Sequence, residues 1–426
     1  PDALSVSREP TQAKSPNALR EVRNVGSNTP CKDNHLEGHS SVQLTTGNLF
    51  DAVPLVDYPG LHRLSFTLYY NSLFTSLLAG GEAGWTHNWN MRLKKTGSVY
   101  QYTDPDGTLM QFDAASGQSL MREGSNSFLT FPGPGLVDLN REDGSRVRFA
   151  DLAGGPSPVL YPIEVRDLHD NATTLTYQGT SLTEVQDPAG RRIEFTHDAQ
   201  GRIVKVKASG DLVYTIARDA QGRIVDIRGP EGFRLAYTYA PSVNPLLALM
   251  ASHTDSNGNT TLIEYTLDRV TRLTGPAGAV QTLDFQTPFP GHLQVTHTGA
   301  EGRQTVYQTT QAEMGAMNYV KPPDGSFRRQ YFDSAKDPYL TCDENGTCTY
   351  SYLNARHRPT RIYVYGHPGF FREYFTYQPN GLDVATHTDR NFNTTRFFYN
   401  ATRDLIRIED PVNGAAHPQT FQYNSA

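Results

Sequence analysis

Residues 198–203 read Asp-Ala-Gln-Gly-Arg-Ile, and residues 219–224 repeat them letter for letter 21 positions on. A turn signal of the form Asp/Gly-x-x-Gly, or a looser Asp/Asn/Gly cluster, recurs on both sides. It begins at Asp167, Asp187, Ala208, Gly229, Asp255, Gly275, Gly299, Asp324, Asp343, Gly366, Asp389 and Asp410, at spacings of 19 to 26 residues. A sustained period near 22 marks a repeat architecture and is read before any single motif. Eight residues after most of these turns stands an apolar or aromatic residue: Phe195, Ile216, Tyr237, Ile263, Tyr307, Phe332, Tyr374 and Phe397. Asp104-Pro105-Asp106-Gly107 followed by Phe112 keeps the same phase.

The segments between turns alternate with period two. In Arg192-Ile193-Glu194-Phe195-Thr196 the apolar pair shares one face and the charges the other, and Arg202–Lys207 alternates alike. Period two is the signature of strands. Asp-x-x-Gly suits tight hairpins because Gly accepts positive φ without a Cβ clash. One repeat therefore reads turn, strand, turn, strand. The best helical candidate is short, Asn244 to Met250. No single repeat can bury its own apolar face, so neighbours must stack into one sheet. A flat strip would leave long unpaired edges, which invite aggregation. The expected fold is all-β: a curled, spiralling sheet of hairpins, a partial or complete β-shell.

Composition agrees. The 426 residues include 23 Tyr, 20 Phe, 36 Gly and 27 Pro, the residue types of half-buried strands and of turns. Lys and Arg total 38 against 44 Asp and Glu, a net charge of −6, which argues against a nucleic-acid partner. The longest strongly apolar run, Leu246 to Ala251, is far short of a membrane span.

At these repeats the sequence resembles the RHS or YD (tyrosine–aspartate) repeat family. Its loose consensus is an aromatic, Tyr-Asp, two residues, then Gly-Arg-Leu/Ile. Gly201-Arg202-Ile203 and Gly222-Arg223-Ile224 keep the second half, while His197 and Arg218 stand where the Tyr would be. Later repeats are more worn: Tyr331-Phe332-Asp333, Tyr350-Ser351-Tyr352 with Asn354, and Phe398-Tyr399-Asn400. Ahead of them, Val42–Leu49, Tyr69-Tyr70-Asn71-Ser72 and Gly84-Trp85-Thr86-His87-Asn88 look like the segment that precedes the repeats in bacterial RHS and wall-associated YD proteins. The resemblance implies a β-cage, which in toxin systems encloses a toxic domain and in teneurin-like surface proteins carries adhesion modules. The Asp-Pro-x-Gly-Leu block of toxin-bearing members has its nearest match at Asp410-Pro411-Val412-Asn413-Gly414, with one inserted residue. Three parts are expected: an extended segment over 1–30, a pre-repeat RHS-like segment over 31–100, and a YD-repeat scaffold over 101–426.

Candidate chemistry is sparse. Trp85 and Trp89 are the only tryptophans and lie four apart; they read first as a packed aromatic corner that starts or plugs the spiral, and secondly as a sugar-stacking platform. His35 and His39 have a His-x3-His spacing, but Gly38 argues against a helix, and they are weak metal candidates. Asp255 and Asp343 open stretches like the start of a calcium loop; position twelve from Asp255 is Thr266, not the bidentate Glu, so hairpin turns explain them better. Cys342 and Cys348 flank a turn at even separation and are expected to bridge in an oxidising compartment; Cys31 is then odd. No nucleophile elbow, phosphate loop, catalytic residue or cofactor motif stands out. The leading functional expectation is an exported or cell-surface, non-enzymatic scaffold that binds, wraps or displays a protein or glycan. A shell component of an RHS-type polymorphic or insecticidal toxin, enclosing a polypeptide, is the alternative. A carbohydrate-active protein is the third.

Overall fold

The computed structural model describes residues 35–36, 41–44, 46–59, 63–73, 83–105, 109–120, 126–154, 159–242, 244, 247–309, 319–332, 338–343, 345–366, 369–411 and 418–423. The segment 1–30, Cys31 and His39 lie outside them, as does the side chain of His35. Among the described residues the structure is strand and turn, with one 3-10 turn at Pro230–Gly232.

Each strand pairs antiparallel with the next, in two sheets. The first has five strands in chain order: His35–Leu36, Ser41–Gln43, Asn48–Tyr58, Leu64–Asn71 and Trp85–His87. The second is a ribbon from Arg92–Thr96 to Gln419–Thr420. The change of sheet falls between His87 and Arg92. Near its start the ribbon branches. Val159–Arg166 pairs through Glu164, Val165 and Arg166 with the next strand, and through Val159 and Leu160 with Lys94 and Leu93 of the first. The strands from Arg92 to Arg166 so close on themselves, and the ribbon continues from them as an open strip; Gln419–Thr420 pairs only with Leu405–Glu409 among the described residues.

The repeated turn explains itself chemically. At Asp198 the Gly201 amide donates to the Asp198 carbonyl at 3.0 Å, and the Asp198 amide donates to the Arg202 carbonyl at 2.9 Å. Asp198 Oδ1 accepts from the Gln200 and Arg202 amides at 2.9 and 3.0 Å, and Arg202 Nε reaches Oδ2 at 2.8 Å. Asp187 with Arg191 and Asp219 with Arg223 are built the same way. Gly201 sits at φ +77, which the turn requires. Later turns keep the conformation without the glycine: His357, Phe392 and Arg403 hold φ of 60, 65 and 62.

Directly paired antiparallel residues share a face. The inner face carries Val185, Ile193 and Ala208 in one row, Phe195 with Val206, Ile216 with Ile227, and Ile263 with Leu273, all buried. The opposite face of the same strands is polar: Glu184, Glu194 and Lys207 in one row, Thr196, Lys205, Thr215 and Arg228 in another. The five-stranded sheet lies on the inner face. Phe66 meets Phe195 at 5.0 Å between ring centres, and Trp85 meets Tyr237 edge-on at 5.1 Å. Tyr70 donates its hydroxyl to the Ala248 carbonyl and accepts from the Met250 amide at 2.7 Å. The Gly47 carbonyl accepts from the Val270 amide at 2.9 Å. Only glycine permits that approach, since a Cβ on Gly47 would lie 2.6 Å from Cβ of Arg269.

The strip curls until its later turns meet its earlier ones. Arg403 Nη1 donates to the Glu142 carbonyl at 2.9 Å, His169 Nε2 lies 3.0 Å from Asp404, Arg358 pairs with Glu142, and Asn126 donates to the Arg356 carbonyl at 3.2 Å. This polar seam joins residues more than 200 positions apart. A curled all-β sheet is therefore the fold, as the repeat period required.

Two local expectations are corrected. Leu249 and Met250 lie in the strand Leu249–Thr254, not in a helix. Their backbone is drawn into the ribbon under Tyr70, where burial outweighs the helical tendency of Leu and Met. Tyr374, eight residues after Gly366, faces outward with its partners Arg361 and Thr388, while Phe375 takes the inner place opposite His387. Gly366 and Gly369 pair directly there, so the connection is shorter than the Asp-x-x-Gly turn and the phase slips by one.

Candidate functional site

Where the register shifts at the end of a hairpin, the residue just past the shift faces inward. In several repeats it is a tyrosine whose hydroxyl is hydrogen-bonded to a carbonyl of the preceding repeat. Tyr239 donates to Ile224 at 2.6 Å, Tyr265 to Met250 at 2.9 Å, and Tyr377 to Pro359 at 2.7 Å. In these repeats the bond staples one repeat to the one before it. It is the physical role of the tyrosine in the repeat.

Later repeats put Phe332 and Leu353 there, which have no hydroxyl, and three successive earlier repeats depart from it with polar groups. The equivalent positions are Tyr177, His197 and Arg218. The buried Tyr177 hydroxyl has no hydrogen-bond partner. Arg218 takes over the staple with longer reach, donating Nη2 to the Ile203 carbonyl at 3.3 Å and Nη1 to the Gly222 carbonyl at 2.9 Å. All three line one cavity of about 240 Å³ between the five-stranded sheet and the ribbon, together with His87, Arg92, Tyr161, Trp85 and Trp89.

Its electrostatics are one-sided. No aspartate or glutamate stands among the described lining residues, while two arginines and two histidines do. Burial, then the charges of Arg92, His197 and Arg218, hold the His87 ring down to about 3. Burial also lowers His197 and Arg92. Both histidines are thus held toward the neutral form.

The candidates from the sequence fall in different places. Trp85 and Trp89 are buried, with indole N–H groups donated to the Tyr239 hydroxyl and the Ser65 carbonyl, both at 2.8 Å. They form the corner where the first sheet joins the ribbon. Asp255 and Asp343 are turn residues: Asp255 Oδ1 accepts from the Asn257 and Asn259 amides at 2.9 Å, and Asp343 Oδ1 from the Asn345 and Thr347 amides at 2.9 and 2.8 Å. Among the described residues no three His, Cys, Asp or Glu side chains gather as a metal site. Cys342 and Cys348 are directly opposed across a hairpin and joined as a disulfide. No helix among the described residues is long and apolar enough to cross a membrane.

Two surfaces were not visible in the sequence. Beyond Val295 no described element covers the ribbon, and Val320 is the one apolar side chain there that is buried among the described residues. On its inner face Ile362, Val364, Phe371, Phe375, Phe397 and Ile408 are half-buried. On its outer face the rings of Tyr339, Tyr350, Tyr352, Tyr363 and Phe370 follow one another at 4.9 to 5.9 Å, with Phe370 63% exposed.

The family described as a domain of unknown function, DUF6531, matches residues 39–112. None of the curated proteins matches the chain. Among solved structures, the TcdB2–TccC3 crystal structure is similar at 11% identity and a TM-score of 0.42, over 85% of this chain and 23% of that one. The TcdB2–TccC3–Cdc42 crystal structure is similar at 10% identity and a TM-score of 0.37, over 81% and 22%. The Photorhabdus luminescens Tc holotoxin pore is similar at 9% identity and a TM-score of 0.33, again over 81% and 22%. The chain spans less than a quarter of the length of these toxin-complex chains.

Proposed function

We propose that this chain is the wall of an RHS/YD-type β-shell: an exported, non-enzymatic scaffold whose inner face holds a polypeptide. One observation carries the reading. The inner face that packs on the five-stranded sheet continues past Val295 with Ile362, Val364, Phe371, Phe375 and Phe397 in the same register position and nothing described upon it. Gln330, Thr341, Glu373 and His387 share that face, and the half-buried apolar groups between them are what a polypeptide laid on it would cover. Export is supported by the Cys342–Cys348 bridge, which persists in oxidising compartments. In this reading residues 31–100 are the pre-repeat segment, whose part up to His87 is the plug and whose part from Arg92 already belongs to the ribbon, and 101–426 are the repeat wall.

A second reading, display of an external protein or glycan, is favoured by the outward row from Tyr339 to Phe370, since exposed aromatic rings give contact area at low entropic cost. Photo-crosslinking in the producing cells separates the two. A benzophenone amino acid at Phe375 is expected to capture a polypeptide, and the same probe at Phe370 is not. Capture at Phe370 alone would replace wrapping by display, and capture at neither would overturn both.

A further inference from the structure

We propose that the cavity between the five-stranded sheet and the ribbon binds a small organic oxyanion, a carboxylate- or phosphate-bearing molecule of about monosaccharide size. This site is separate from the uncovered inner face and stands or falls independently of it. Three observations carry it.

The first is the local failure of the repeat. The tyrosine staple is present at Tyr239, Tyr265 and Tyr377. Where later repeats lack it, at Phe332 and Leu353, the replacement is apolar; at Tyr177, His197 and Arg218 a polar group stands in its place without the tyrosine's bond, and these three converge on one cavity. Departures from an otherwise consistent local pattern concentrate at functional sites.

The second is unanswered polarity. Nδ1 of His87 and the hydroxyl of Tyr177 are shielded from solvent and have no hydrogen-bond partner. Arg92 donates to the adjacent Met91 carbonyl at 2.8 Å and lies 4.4 Å over the Tyr161 ring, but makes no ion pair among the described residues. Leaving such groups unmatched in a partly dry site is costly, and a ligand that matches them recovers the difference.

The third is the sign of the field. The nearest repeat aspartates, Asp198 and Asp219, are already clamped by Arg202 and Arg223. The lining that remains presents guanidinium and imidazole without a carboxylate. Guanidinium groups bind carboxylate and phosphate through charge-assisted, often paired hydrogen bonds. The volume, about 240 Å³, admits a molecule smaller than the ligands of pockets of roughly 300–1,000 Å³. Trp85, Trp89 and Tyr161 add aromatic lining for its apolar part.

The test is calorimetric titration of the full chain with glucuronate, with glucose 6-phosphate and with neutral glucose. At least one anion is expected to bind about tenfold or more tighter than glucose. Arg218→Tyr installs the residue that neighbouring repeats carry at this position, so the fold retains its staple while the cavity loses a charge; anion binding should fall about tenfold or more. Arg92→Gln should fall similarly, with circular dichroism unchanged. The proposal is overturned if neither anion binds at millimolar concentration, if glucose binds as tightly as they do, or if both variants bind as the parent does.

Discussion

The ribbon before Val295 and the ribbon after it are made of the same parts in different surroundings. Both have hairpins closed by an Asp or Asn that caps its own turn, as at Asp198 and at Asp389, where Oδ1 accepts from the Asn391 and Asn393 amides at 2.8 and 2.9 Å. Both alternate inward and outward residues. Yet the first half buries Ile193, Val206, Ile227 and Ile263 almost completely, while Ile362, Val364 and Phe375 in the second stay half-buried. The outer face reverses too, from Glu184, Lys205 and Arg228 to Tyr350, Tyr363 and Phe370. The comparison teaches that turn chemistry makes the strip, and that the five-stranded sheet laid on it makes the core.

The largest test removes that cover. Trp85→Ala should destabilise the protein by about 4 kcal/mol, through loss of a buried ring and of the bond to Tyr239. Phe375→Ala, at a half-buried inner position that no described element covers, should change it by about 1 kcal/mol. Chemical denaturation reads both. Equal effects would mean that the second half has a core of its own.

Next come the turns. Asp187 has a side chain 0% exposed and is held by Arg191 at 2.6 Å. Arg191→Ala leaves a buried charge without its partner and should cost about 3 kcal/mol. Asn393→Ala, in the exposed turn of Asp389, removes one solvent-facing hydrogen bond and should cost about 0.5 kcal/mol. Similar losses at both would show that the turns work independently of what covers them.

The pH dependence of the covered half follows from Asp51. Asp51 belongs to the first sheet and lies near Tyr237 of the ribbon, and burial pushes its carboxyl up to about 7. Unfolded, it titrates near ~4. Between those values the folded state holds a proton that the unfolded state has released. Stability from this group is therefore full below pH ~4 and is lost as pH rises through about 7. Asp51→Asn should raise the melting temperature at pH 8, by about 2 kcal/mol of stability, and leave it unchanged at pH 4. A gain that is equal at both pH values would remove Asp51 as its source.

The smallest effect lies in the uncovered half and has the opposite sign to the core substitutions. Phe392 is exposed at φ 65, in the place other turns give to glycine. Phe392→Gly should stabilise by about 0.5 kcal/mol, the strain relieved being offset by glycine's greater freedom when unfolded and by loss of the ring contact with Arg372. Thermal melts that show a loss would mean that this contact outweighs the strain.

Much of the wall was legible because its causes are local. Phe195, Ile216, Tyr237 and Ile263 fell on the inner face where the eight-residue phase placed them. Tyr374 did not, because one shorter connection at Gly366 shifts the alternation, and a period of two turns a one-residue slip into a change of face. Asn244 to Met250 looked helical by composition alone; the pull of Tyr70, some 180 residues earlier, drew Leu249 and Met250 into a strand. His197 and Arg218 were visible as departures from the repeat. Their convergence with Arg92, His87 and Tyr177 was not, since it depends on how one sheet is laid across another.

The sequence by itself determined the strands, the turns and the need to curl. These follow from side-chain alternation, from an Asp that bonds its own backbone amides, and from a Gly at positive φ, all within five to ten residues. Only the tertiary structure decided which stretch of the inner face is covered, where the seam between Glu142 and Arg403 closes, and that Tyr177, His197 and Arg218 open onto one cationic cavity. Those outcomes join residues as far as 261 positions apart, and no local propensity carries information over that distance.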